Sequence, residues 1–252
     1  MPSYNTARFI EESIKSVLAQ TYTNWELIIV DDASTDDTDE VVKKFTEPAE
    51  VNASKIHYLK NAQNSGAAVS RNRALREAHG KWIAFLDSDD LWTPEKLEKQ
   101  LKFMVENGYA FSYTRYGIMD EDGKPTGMLV GGPKRITKTG MFNYCWPGCL
   151  TVMYNRDVVG DIQISDIKKN NDYAMWLRVC RKADCFLLPE NLASYRVRRG
   201  SISRHSHFAL IKWHYKLYRE AESLNIVYSL WITARNLFFG VWKKFRYVGK
   251  VV

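Results

Sequence analysis

An α/β fold, built on an open, mostly parallel sheet flanked by helices, is what this sequence predicts. Three observations predict it. Short apolar runs alternate with amphipathic stretches through the amino-terminal part of the chain. Two of those runs, Trp25–Val30 and Trp82–Leu86, end in clustered acids, Asp31-Asp32 and Asp87-Ser88-Asp89-Asp90. The composition, 45% hydrophobic and 26% charged over 252 residues, is that of a chain able to bury a core and excludes disorder.

The elements follow in order. Ile10, Ile14, Val17 and Leu18 fall on one face of a helix over Glu11–Gln20. Trp25–Val30 is nearly continuous in apolar residues, the mark of a strand buried on both faces. Ser34-Thr35-Asp36-Asp37 supplies capping side chains for a helix carrying Val41, Val42 and Phe45. Ile56–Leu59 is a third strand. Asn64-Ser65-Gly66 turns into a helix from Ala67 to about Ala78, and Trp82–Leu86 is the next strand. Pro94 sits where a first helical turn tolerates a missing N–H, and that helix runs to about Asn107. Strand–helix alternation of this kind gives a doubly wound sheet, whose ligands bind beyond the carboxyl ends of the strands. After Tyr109 the pattern loosens. A hairpin turn at Asp120–Gly123, a Gly/Pro-rich loop from Gly127 to Pro133, a helix from Asp172 to about Lys182 and strands near Cys185–Leu188 and Ala193–Val197 are expected. The pattern also expects a strand ahead of Pro2, of which Met1 is the last residue.

The net charge of +7 is uneven. Arg198–Val252 carries 11 basic and 2 acidic residues, whereas the preceding stretch carries 25 and 27. A basic tail on a slightly acidic body points to an anionic partner. Within it Ile226, Leu230, Leu237, Val241 and Phe245 repeat at helical spacing, and Lys243, Lys244 and Arg246 close the run. Such a helix suits a membrane interface, or packs on its own domain. No run of about 20 uncharged apolar residues exists to span a bilayer, and no signal peptide pattern precedes Tyr4. The expected division is one domain over 1–204, in two halves 1–97 and 98–204, followed by the basic helical tail 205–252. Four cysteines are too few for a disulfide framework, and their spacing is not that of zinc pairs.

Chemistry concentrates in the acids. Asp87 and Asp89, two residues apart after a buried strand, offer hard oxygen ligands of the kind Mg²⁺ or Mn²⁺ takes alongside a diphosphate. An acidic turn that merely caps the next helix has the same local sequence. Asp32 lies at the end of a second strand, and clustered carboxylates repel unless a cation or hydrogen-bond donors compensate.

Several segments together carry a family resemblance. They are Met1–Asn5, Ala19-Gln20-Thr21-Tyr22, Glu26–Asp36, Asn64-Ser65-Gly66 through Ser70-Arg71-Asn72, and Ile83–Asp90, with a weaker continuation at Asn170–Tyr173 and Tyr195-Arg196. In this order they resemble the family 2 glycosyltransferases of GT-A fold, above all bacterial enzymes that build capsule, lipopolysaccharide or teichuronic-type polymers. The resemblance implies a nucleotide-sugar donor, in particular a UDP-sugar, and Mn²⁺ or Mg²⁺. It implies that Pro2 and Tyr4 line the base pocket and that Asp32 pairs with the base. It places Asp87 near the ribose and metal, Asp89 on the metal, Arg71 near the donor, and Asp172 as catalytic base. Arg199 and Ser201, in a loop after the last strand, would meet the diphosphate. One departure is Asn171, where many relatives carry Glu. A first-turn Asp172 would have its pKa lowered by the helix dipole.

The implied activity is inverting transfer of a sugar to a lipid-linked or oligosaccharide acceptor, at the cytoplasmic membrane face, with the basic tail on anionic lipid. Two alternatives are weaker. A sugar nucleotidyltransferase needs a glycine-rich basic loop after its first strand, and Pro2-Ser3-Tyr4-Asn5 is not one. A non-catalytic nucleic-acid or carbohydrate-binding protein fits the basic tail, but no nucleic-acid module is recognisable. Oligomeric state is not legible in the sequence.

Overall fold

The computed structural model describes residues 1–47, 50–167, 169–198 and 207–250, with side chains in the last stretch from residue 210. Three short strands, β1 (Pro2–Ser3), β2 (Leu27–Asp31) and β3 (Ile56–Lys60), form a parallel sheet in the order β1-β2-β3. Every residue of β2 is buried, as its unbroken apolar run demands. The register sets Ser3 beside Asp31 and Asp31 beside Lys60, so three carboxyl ends align. Helices α1 (Ile10–Leu18), α2 (Thr38–Thr46) and α3 (Ala67–Glu77) connect and cover these strands. Ile10, Ile14 and Val17 of α1 are buried with Leu27 and Ile29 of β2.

The remaining strands make a mixed sheet. They are β4 (Trp82–Ala84), β5 (Leu91–Trp92), β6 (Phe111–Met119), β7 (Pro125–Val130), β8 (Arg135–Ile136), β9 (Met153–Asn155), β10 (Cys185–Arg196) and β11 (Val248–Lys250). The main path is β11-β7-β6-β10-β5, and β9 joins β4 to β6. Only β6 and β10 run parallel in it. The α/β class stands, but parallel pairing is confined to β1-β2-β3 and β6-β10. Helices α4 (Lys96–Asn107), α5 (Lys138–Asn143), α6 (Arg156–Val159), α7 (Asn171–Val179), α8 (His207–Lys216) and α9 (Ile226–Tyr247) complete the chain.

Three local expectations change. The loose stretch after Tyr109 contains β6, the long central strand. Its buried start includes Ser112 and Thr114, so it lacks an apolar run; Ser112 is satisfied by the Gln100 amide at 3.0 Å. Gly127–Val130 belongs to β7, paired with β6 across the Asp120–Lys124 turn. The two late strands are one, β10, whose register slips between Leu188 and Asn191 and again before Ser194. Pro189 lies in the first slip, where a missing ladder N–H is tolerated.

β1 reaches only Val30 and Asp31 of β2 and does not pair with β4. Below it a cavity of about 480 Å³ opens, lined by Met1, Leu27, Ile28, Ile83 and Ala84 among others. The larger core surrounds α7, where Trp176 is wholly buried and meets Phe85 edge-on at 5.1 Å. α9 packs on this body. Asn236 donates its amide to the Tyr173 and Tyr218 hydroxyls at 3.1 and 3.2 Å, and Lys243 donates to the Trp146 carbonyl at 2.8 Å. β11 then pairs with β7. Among the described residues no helix is long and apolar enough to cross a membrane.

Candidate active site

The site lies where β1, β2 and β4 end. The Asp32 backbone N–H donates to the Ser3 carbonyl at 2.8 Å, which sets Tyr4 and Asp32 on adjacent strand ends. Tyr4 is 46% exposed, free to present its ring to a ligand. The Pro2–Asn5 segment is fastened to the loop after β2. Asn5 N–H donates to Ser34 Oγ at 2.9 Å, and Thr35 N–H donates to Asn5 Oδ1 at 2.8 Å. Asn5 and Ala33 both adopt positive φ, 50° and 61°, in these crossing loops.

Asp32 is buried, and its carboxylate is already served. It accepts from Asn61 Nδ2 at 2.7 Å, Ser65 N–H at 3.0 Å, Gly66 N–H at 2.7 Å and Ser70 Oγ at 3.1 Å. Burial alone would raise its pKa; these donors outweigh burial and hold it below the ordinary carboxylate range. In this arrangement Asp32 fixes the Asn64–Gly66 turn that starts α3. A base contact through its carboxylate would share or displace one of those donors.

The acid loop runs from β4 to β5. Asp87 receives the Arg71 guanidinium, Nη2 to Oδ1, at 2.5 Å. The same guanidinium donates through Nη1 to Asn171 Oδ1 at 3.0 Å. Arg71 thereby ties the end of β4 to the first turn of α7. Burial opposes its charge, yet Asp87 foremost, with Asp172 adding, pushes its pKa further up. Asp89 forms an ion pair with Arg198, Nε to Oδ2 2.7 Å. Burial, then the Asp87 charge, raises the Asp89 pKa against that pairing. Behind the loop Arg196 is 2% exposed and holds it at several points: its N–H meets Asp90 Oδ1 at 2.9 Å and its Nε meets the Asp89 carbonyl at 2.8 Å. Its Nη2 reaches Glu12 at 2.5 Å.

Asp172 lies in the first turn of α7, next to the Asn171 that Arg71 holds. Its pKa is raised, not lowered as the dipole argument expects. Burial is the main cause and Asp87 adds to it, against the Arg71 charge and the Tyr173 N–H. Asn170, before it, takes the left-handed conformation at φ 57°. At position 171 Arg71 meets a neutral amide oxygen, and the elevation at Asp172 comes from burial foremost.

The donor set suits a divalent cation. Asp87 and Asp89 supply two carboxylates whose mutual repulsion a cation would relieve. No group of three or more acidic, histidine or cysteine side chains completes an all-protein cage among the described residues. Mg²⁺ and Mn²⁺ commonly take one or two carboxylates, the rest coming from substrate phosphates and water.

The structure thus brings Tyr4, Asp32, Arg71, Asp87, Asp89 and the Asp172 turn to one face, with Pro2 in β1 beneath. Arg199 and Ser201 lie outside the described residues. Sequence reasoning gave no role to Asn61, Ser70 or Asp90. Asn61 follows β3 directly, at the same sheet edge as Asp31-Asp32, and that position was the available signal. Arg196 stood in a noted motif without a role.

A parallel β1-β2-β3 sheet beside a mixed sheet, with an acid loop after β4 and an acid in the first turn of α7, is an arrangement of the GT-A class. The comparisons agree. The sequence profile for glycosyl transferase family 2 matches residues 1–161. The chain is 42% identical over 231 residues, 91% of this chain and 90% of the other, to TuaG of Bacillus subtilis (strain 168), a glycosyltransferase assigned provisionally by name to teichuronic acid biosynthesis. It is 38% identical over 205 residues, 81% of this chain and 78% of the other, to the Escherichia coli UDP-Glc:alpha-D-GlcNAc-diphosphoundecaprenol beta-1,3-glucosyltransferase WfgD. Among solved structures, S. aureus TarS 1–349 with UDP-GlcNAc superposes at a TM-score of 0.72 with 21% identity, covering 94% of this chain and 70% of that one. The Pyrobaculum calidifontis mannosyltransferase PcManGT, with GDP-Man and Mn²⁺, gives 0.65 and 18%, covering 95% and 73%. The chain belongs to glycosyltransferase family 2 and is a glycosyltransferase.

Proposed function

We propose that the protein transfers a sugar from a UDP-sugar to a lipid-diphosphate-linked acceptor, with inversion, at the inner face of the cell membrane. The observation that carries the reading is the Arg71 bridge, which holds the acid loop and the Asp172 turn as one unit. The named substrates of WfgD and the UDP-GlcNAc complex of TarS support the donor and acceptor classes.

Each residue then has a task. Tyr4 stacks on the base beside the Asp32 turn. Asp87 and Asp89 hold Mn²⁺ or Mg²⁺, which when bound neutralises charge on the departing diphosphate. Arg71 and Arg198 supply fixed positive charge next to those acids. Asp172 takes the proton from the acceptor hydroxyl as its oxygen attacks the anomeric carbon; the new C–O bond forms as the bond to the diphosphate breaks, and UDP leaves. A raised pKa suits that base better than a dipole-depressed one.

A donor screen with Mn²⁺, reading released nucleotide, tests this. One UDP-sugar should be consumed by the native enzyme and not by Asp172→Asn. Consumption only of GDP- or dTDP-sugars would overturn the donor assignment.

A further inference from the structure

α9 is built inside out. Its buried residues are Ser229, Ile232, Thr233, Asn236 and Lys243, and four of these five are polar. Their polar groups are satisfied: Asn236 donates to two tyrosine hydroxyls and Lys243 to the Trp146 carbonyl of the body, and Thr233 donates to the Ser229 carbonyl of its own helix at 2.7 Å. The outward stripe is apolar. Val227, Leu230, Trp231, Phe238, Trp242 and Phe245 recur at helical spacing and are between 50% and 84% exposed. A helix on a water-soluble body ordinarily does the reverse. Six large side chains on one line form a patch of the kind that marks an interaction surface.

The charge around the stripe selects its occupant. From Asn225 to the carboxyl terminus the chain holds five basic and no acidic residues. Lys244 and Arg246 are exposed beside Phe245, and the Arg235 guanidinium lies 5.0 Å over the Trp231 ring. Tryptophans among aliphatics, rimmed by cations, match an anionic bilayer interface, where rings sit at headgroup depth. The helix is not apolar enough over its length to cross a bilayer.

We propose that the outer face of α9 seats the enzyme in the plane of an anionic membrane. The choice of a bilayer over a protein partner rests in part on the lipid-linked acceptor proposed above. The inner face fits that role. Asn236 holds Tyr173, the residue after Asp172, and Gly240 lies against Tyr144, where an added Cβ would come within 3.0 Å of the ring. The seated helix is therefore tied by a side-chain hydrogen bond to the helix that carries the proposed base.

Co-sedimentation of the full chain with phosphatidylglycerol vesicles, without donor or acceptor, tests the surface. Binding is expected, falling roughly fivefold for each charge lost in Lys244→Gln and Arg246→Gln. It should fall on the order of tenfold or more in Trp231→Ser with Phe245→Ser. UDP affinity, measured by titration, should stay unchanged in all three variants and shows that they are folded. Absence of vesicle binding overturns the proposal, as do equal binding of the variants and equal binding to neutral phosphatidylcholine. A wild-type dimer that the Trp231/Phe245 variant dissociates assigns the face to a second copy instead. Nucleotide release with a soluble acceptor reads glycosyl transfer separately, so either idea can fail without the other.

Discussion

The Arg71 guanidinium lies 2.5 Å from Asp87 and, through its other nitrogen, 3.0 Å from Asn171. One largely buried side chain thus ties the acid loop after β4 to the first turn of α7. Removing one partner of a buried pair leaves the other charge uncompensated.

Arg71→Met should therefore lower unfolding free energy by about 3 kcal/mol and reduce turnover together. Arg71→Lys keeps the charge but loses the fork, and should restore stability more than turnover. Urea unfolding beside nucleotide release checks both; a Lys variant with native turnover would show that charge alone suffices.

Asp172→Asn should reduce kcat by a factor on the order of 10²–10⁴, with the donor KM little changed. Steady-state kinetics on the responsive UDP-sugar decide this. Undiminished transfer would remove Asp172 from the mechanism.

The pH profile carries the same assignment. Burial raises Asp172 above the usual aspartate value of 3.8, and Arg71 partly restrains it. A base must be ionised, so activity should fall as pH drops through that raised value, above where a free aspartate titrates. Arg71→Gln should move the acidic limb to higher pH. A limb at the ordinary value, unmoved by that change, contradicts the geometry.

Asp32 behaves oppositely. Its folded pKa lies below the ordinary value of 3.8, so its contribution to stability is full above that value and is lost as pH falls through the folded pKa. Asp32→Asn should cost about 2–3 kcal/mol at neutral pH, because charge-assisted bonds from Asn61 and the Ser65-Gly66 turn weaken. The cost should shrink toward pH 3. Chemical unfolding at both pH values measures the difference.

Asp89→Ala should abolish Mn²⁺ stimulation while leaving the fold intact, since the Asp89 carboxylate pairs with Arg198 and the Arg196 contact is to the Asp89 backbone carbonyl, which alanine keeps. Chelator treatment of the native enzyme should give the same loss, reversed by Mn²⁺. Activity that survives both would exclude a metal held by this loop.

Much of this was legible in the residues. The apolar runs Trp25–Val30 and Trp82–Leu86, closed by Asp31-Asp32 and Asp87–Asp90, placed acids at strand ends, because a buried strand must be apolar and its polar residues fall at its ends; that β2 and β4 belong to separate sheets was not legible. β6 was not legible, since Ser112 and Thr114 are buried through hydrogen bonds and leave no periodic signal. The apolar stripe of α9 could be read, but its direction could not. Either face of that helix could have met the body, and the inward choice of Asn236 and Lys243 follows from partners more than 60 residues away in sequence, Tyr173 and Trp146. The same holds for charge. Local sequence alone assigned Asp172 a dipole-lowered pKa, whereas its surroundings raise it. Sequence determined which residue types stand at strand and helix ends; only tertiary structure decided their charge state and neighbours, because burial and pairing are set by segments that meet solely in the folded chain.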